Sequence, residues 1–223
     1  MMHQRISKKI IIYIFIFFTL GTITNTKLSN DFYIIKEFNI KGLNTLETKK
    51  IYNDLRIFRN LNIFSLDKTN VFGKINSNKI VEKFKVFKNY PSTLNIEIKK
   101  TKFLAITKKN NDNYLVGANG NLIKNNSINS DLPFIFGNVD INDFLYFKEI
   151  IDSSNFKFND IKNLYYFKSN RWDVLTKDGL TLKMPPNLTV EKLDLLFKII
   201  QGNDFYNDKI IDYRQNNMMV VNG

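Results

Sequence analysis

From Thr93 to Lys100 apolar and polar residues alternate without a break, with Leu94, Ile96 and Ile98 on one side and Asn95, Glu97 and Lys99 on the other. Successive side chains of a strand point to opposite faces, so this segment demands a sheet with one dry face and one wetted face. Covering the dry face with helices meets that demand in a small α+β unit.

The flanking residues supply the helices. Phe38 and Ile40 alternate with Glu37, Asn39 and Lys41 and stop at Gly42, which reads as a strand and a turn. Asn44 and Glu47 are spaced as a capping box, and Ile51, Leu55 and Phe58 then recur on one helical face. Val71, Phe72 and Ile75 mark a second, shorter helix. Strand character returns over Val81 to Lys88, with Phe84 and Val86 on one face, and Tyr90-Pro91-Ser92 makes the turn into the alternating segment. The order strand, helix, helix, strand, strand over residues 31–100 resembles a POTRA domain.

Residues 101–223 read as a second domain of short strands and Gly or Asn turns, a mixed β-sheet with helices on one face. Strands are expected at Phe103 to Lys108, Tyr114 to Val116, and Leu122 with Ile123, and a short apolar segment runs from Leu132 to Gly137. Phe144, Phe147, Ile150 and Ile151 line one face of a helix over about 141–153; Val190, Leu193, Leu196, Phe197 and Ile200 line another, stopped by Gly202. Lys177-Asp178-Gly179 turns a hairpin between Arg171 to Thr176 and Leu180 to Met184, and Pro185 and Pro186 end it. A single last strand is expected from Ile210 to about Val221. It lies either inside the sheet or at its edge, and an edge would offer unpaired backbone groups to another chain.

Ahead of both domains, Arg5, Lys8 and Lys9 precede an apolar stretch from Ile10 to Ile23. Positive charge before such a stretch places residues 1–9 in the cytoplasm and the bulk of the chain outside. The stretch falls short of the ~20 residues of a full span, so a cleaved signal peptide competes with an anchor. An anchor over 10–26 is favoured: no small-x-small cleavage site follows, and Lys8, Lys9 and Lys27 can snorkel.

Residue inventory excludes much chemistry. There is no cysteine, and the one histidine is His3, on the cytoplasmic side of the expected anchor, so a His-based triad or a His/Cys zinc site has no ligands beyond it. Gly117 and Gly120 form no phosphate loop. Asp140 with Asp143, and Asp152 with Asp160, are carboxylate pairs among polar residues, where solvated charge is the ordinary explanation. Trp172 is expected in the core or at an interface rather than as a ligand platform. The formal charge is +12, but lysines are spread through every element, so neither nucleic acid nor a small-molecule substrate is implied. No catalysis, cofactor or metal is expected.

Tyr90-Pro91-Ser92-Thr93-Leu94, Leu132-Pro133 with Gly137, Arg171-Trp172 with Gly179, and Ile211-Asp212-Tyr213-Arg214, in that order behind an N-terminal apolar stretch, resemble the FtsQ/DivIB family of bacterial division proteins. The resemblance implies a non-enzymatic divisome scaffold of the inner membrane: one span, a periplasmic bulk, and a place at the division septum. It implies that the terminal strand binds bitopic partners of the FtsB and FtsL type by strand addition. Carried onto this chain, the interface is Arg214, Gln215, Asn216, Asn217, Met218, Met219, Val220 and Val221, with Arg171 as an ion-pair donor to an acidic partner residue. Departures are Lys100 and Phe103 where the family commonly has an acidic residue and a proline, Gly117 where an aspartate is frequent, and Gln215 where an aromatic is frequent. A POTRA-bearing component of protein translocation or outer-membrane assembly is the alternative; the lack of barrel-type strands and of tandem repeats speaks against it.

Overall fold

A computed structural model describes residues 8–22, 33–125, 131–202, 210–215 and 218–222. Helix α1 (Lys8–Thr22) has 15 residues, about 22 Å at 1.5 Å per residue, and its apolar side chains are exposed. No helix of the described residues is long and apolar enough to cross a membrane, and residues 23–26 of the expected span lie outside them.

Next come β1 (Glu37–Lys41), α2 (Thr45–Leu55), α3 (Lys68–Asn76), β2 (Val81–Asn89) and β3 (Thr93–Lys100). The sheet order is β1-β3-β2, with β1 parallel and β2 antiparallel to β3. The α2 capping box forms as read: Asn44 Oδ1 accepts from the Glu47 N–H at 2.9 Å, and Glu47 reaches back to the Asn44 N–H. Asp67 caps α3 through the Thr69 N–H. Leu94, Ile96 and Ile98 are buried beneath Ile51, Leu55, Val71 and Ile75, so the strict alternation marks the dry face as expected. Gly42 is required at the end of β1. Its φ is +97°, and a Cβ there would stand 1.8 Å from the Ile98 carbonyl oxygen.

The second sheet has nine strands: β4 (Phe103–Lys109), β5 (Asp112–Gly117), β6 (Leu122–Lys124), β7 (Phe134–Phe136), β8 (Ile161–Phe167), β9 (Arg171–Thr176), β10 (Thr181–Lys183), β11 (Ile210–Gln215) and β12 (Met218–Asn222). Their order is β12-β11-β10-β9-β8-β7-β4-β5-β6. Helix α4 (Ile141–Asp152) crosses between the parallel strands β7 and β8, and α5 (Val190–Gly202) between the parallel strands β10 and β11. Both helices bury their apolar faces in one core, where Trp172, 6% exposed, stacks on Phe147 at 4.7 Å between ring centroids. Strand β8 was not expected from sequence. Its only strictly buried positions, Ile161 and Leu164, are three apart, because a register shift between Ile161 and Asn163 breaks the alternation.

A short seam joins the two sheets. The Thr101 N–H donates to the Ile80 carbonyl at 2.9 Å and the Ala118 N–H to Lys102 at 2.8 Å. Asn119 reaches across: its amide donates to the carbonyls of Lys79 and Val81 at 3.0 and 2.9 Å, while its own N–H donates to Thr101 Oγ1. Gly117 is part of this seam, since a Cβ there would stand 2.5 Å from Asn119 Oδ1. Lys100 pairs with Glu47 at 2.5 Å and lies over the Phe103 ring. The departures at Lys100, Phe103 and Gly117 are therefore locally accommodated.

Candidate partner-binding edge

The end of the chain differs from its sequence reading. Instead of one strand from Ile210 to Val221, β11 and β12 form an antiparallel hairpin, pairing Ile211 with Val221, Asp212 with Val220 and Gln215 with Met218. Strand β11 is interior, parallel to β10; β12 is the terminal strand of the sheet. Two Asn residues flanked by Gln215 and Met218 are the local signal for that reversal, because Asn tolerates the backbone of tight turns. Asn216 and Asn217 themselves lie outside the described residues.

The residues expected to act together are thus divided. Arg214 and Gln215 end β11, and Met218, Met219, Val220 and Val221 form β12. Val220, 52% exposed, and the exposed Gln215 border a recess of about 360 Å³ that Asp212 and Arg214 also line. Arg171 starts β9, two strands inward from β11.

Sequence reasoning missed the charges between these positions. The register aligns Val220, Asp212, Lys183, Asp173 and Tyr165 in one row across β12, β11, β10, β9 and β8. Arg171 Nε bonds Asp173 Oδ1 at 3.2 Å, and the Arg171 guanidinium lies over the Phe167 ring. Arg214 holds Asp212 through two Nε contacts at 2.8 and 2.9 Å and a further one from Nη2. The signal was present: Arg171/Asp173 and Asp212/Arg214 are opposite charges two residues apart, which a strand places on one face.

Both expected arginines are therefore engaged within the chain. The Arg214 hydrogen bond holds the Asp212 carboxyl below its ordinary range, and the same contact raises the Arg214 guanidinium. Asp173 goes the other way, because burial pushes its carboxyl up against the pull of Arg171, Lys183 and Arg214. The arrangement can present a backbone edge beside a recess whose charges are already fixed in place; an acidic partner would have to compete with Asp173 for Arg171.

Three of the other carboxylates singled out above have structural duties. Asp140 caps α4 through the Asn142 N–H, Asp143 accepts from the Tyr166 hydroxyl at 3.0 Å, and Asp152 pairs with Lys148 on α4. Among the described residues no group of three His, Cys, Asp or Glu side chains could hold a metal ion.

Two family models match the chain. The POTRA domain, FtsQ-type, matches residues 34–100, and the cell division protein FtsQ/DivIB, C-terminal, matches residues 105–214. Among solved structures, the major extracytoplasmic domain of the cell division protein DivIB from Geobacillus stearothermophilus is 14% identical, with a TM-score of 0.34, covering 47% of this chain and 98% of that one. The sequence matches no curated protein.

Proposed function

Starting from membership of the FtsQ/DivIB family of cell-division proteins, which this chain belongs to, we propose that it acts as a non-enzymatic scaffold of the divisome, held at the inner membrane by α1. Its bulk is periplasmic and works at the septum, and β12 takes up a strand from a bitopic partner of the FtsB or FtsL type. The observation that carries this reading is the position of β12, the last strand of a nine-stranded sheet, with β11 as its neighbour on the inner side. An outer edge of that kind offers alternate N–H and C=O groups as a ready template. The anchor reading is supported by the exposed apolar side chains of α1 behind Lys8 and Lys9.

Because β12 is one arm of a hairpin, deleting Met218 to Gly223 would leave β11 as a new edge, on which a partner strand could settle. Proline placed singly at Val220 and at Val221 is the cleaner test. Outward N–H groups alternate along an edge strand, so one of the two removes a donor that a partner would use. Capture of small bitopic partners by the full chain should fall at least about tenfold in that variant, while Trp172 fluorescence stays native. Capture unchanged in both variants and in the deletion would overturn strand addition at this edge.

A further inference from the structure

The first domain has two poles. β1 begins at Glu37 opposite Thr93, and β2 ends at Asn89 opposite the same residue, so the starts of β1 and β3 and the turn at Tyr90 to Ser92 gather at one end. The other end leads through Lys100 and Thr101 into the second sheet. Loops close the first pole: the Lys36 N–H donates to the Ser92 carbonyl and the Ile63 N–H to the Tyr33 carbonyl.

Three rings stand on that pole in the open. Phe64, 57% exposed, stacks on Tyr90, 54% exposed, with centroids 4.7 Å apart, and meets Tyr33 edge-on at 5.2 Å. Leu61 and Phe87 are exposed as well. Lys88 Nζ donates to the backbone carbonyls of Phe64 and Leu66 at 3.3 and 3.2 Å, which holds a cation at the loop that carries Phe64, and the exposed Lys36 and Arg59 lie within a few residues of Tyr33 and Phe64 in the chain. Amphipathic aromatics beside basic side chains are the composition of a membrane–water interface, where the ring enters the acyl boundary and the cation meets lipid phosphate.

The location points to the same partner. Helix α1 ends at Thr22, and residues 23–32 connect it to Tyr33, a length that can reach at most about 36 Å. The ring pole is also the end of the domain farthest from the second sheet. We infer that Tyr33, Phe64 and Tyr90, with Lys88, form a docking face that seats the first domain on the headgroup layer of the bilayer into which α1 inserts. The inference rests on the anchor reading of α1.

The test reconstitutes the full chain in phosphatidylglycerol and phosphatidylethanolamine vesicles with or without brominated acyl chains, which quench tryptophan on contact. Native Trp172, buried in the second core, supplies a constant background. Emission from Tyr90→Trp should fall by about half. That from Phe17→Trp in α1 should fall further, and that from Tyr146→Trp, exposed on α4, should not change. Quenching at Phe17→Trp without quenching at Tyr90→Trp would keep the anchor and overturn the docking face, leaving a protein partner for the rings. Quenching at neither would remove both readings, and quenching at Tyr90→Trp alone would remove the anchor and with it the proposal as stated. Equal quenching at Tyr90→Trp and Tyr146→Trp would mean adhesion without a preferred face, and would also overturn the proposal.

Discussion

The two sheets treat their outer faces in opposite ways. In the first, the exposed Lys41, Glu97 and Lys85 alternate in sign across β1, β3 and β2, and the exposed Lys99 pairs with the half-buried Glu82 at 2.6 Å. In the second, one row runs from the stacked rings of Phe136 and Tyr165 through Asp173, which is 7% exposed, to Lys183, Asp212 and Val220. A wetted face with alternating charge needs no cover. A row that buries a carboxylate and ends on an exposed valine at the edge has the character of an interface. Surface use thus divides between the domains: the sheet of the first faces solvent with alternating charge, and the sheet of the second ends on the edge strand β12.

Two separate cores should answer separately to damage, and the largest effect tests that. Gly42→Ala places a Cβ against the Ile98 carbonyl at a φ of +97° and should cost more than about 4 kcal/mol, unfolding the first domain. Hydrogen exchange should show loss of protection over residues 37–100, while Trp172 emission keeps its native maximum; simultaneous loss of both would merge the two cores into one cooperative unit. Trp172→Ala is the reciprocal. Its ring touches Phe144, Phe147 and Tyr166, and its removal should cost about 3 to 4 kcal/mol in denaturant unfolding, with protection of β1, β2 and β3 retained.

Smaller effects sharpen the contrast. Asn119→Ala leaves the carbonyls of Lys79 and Val81 without their donor and should cost about 1 to 2 kcal/mol, moving the unfolding transitions of the two sheets further apart as they uncouple. The smallest effect is a difference of sign between two carboxylates of one row. Asp212 has its folded-state pKa depressed, so its contribution is present above the unfolded value and is lost as pH falls through the folded one. Asp173 has its folded-state pKa raised, so its ionisation costs stability at neutral pH, and that cost disappears as pH falls below the unfolded value. Asp173→Asn should therefore stabilise at neutral pH and Asp212→Asn destabilise, each by about 1 kcal/mol, because the nearby Arg171, Lys183 and Arg214 offset the burial of Asp173 and water screens the Asp212 pair. Paired denaturation curves at neutral and acidic pH measure both.

The first domain was legible because each signal was local. Leu94, Ile96 and Ile98 alternate, Asn44 and Glu47 cap, and Gly42 turns, all within a few residues of the feature they specify. The second domain hid what depends on pairing. Strand β8 conceals its alternation behind a register shift, and the hairpin of β11 and β12 looked like one strand because Asp212 and Arg214 continue the pattern up to the reversal. The row of Asp173, Lys183 and Asp212 exists only once β9, β10 and β11 are side by side, and no spacing along the chain measures that.

The seam at Asn119 has a mechanical meaning. One side chain spans two backbone carbonyls of the first domain from a turn of the second, and Gly117 admits it by having no side chain of its own. A hinge would leave the far strand free to search for its partner, whereas this joint works like the fixed arm of a gauge. Under the proposed function, β12 meets its partner at a set height above the bilayer. A helical stalk longer or shorter by one turn would miss it by about 5.4 Å, so the joint would select partners by length as well as by sequence.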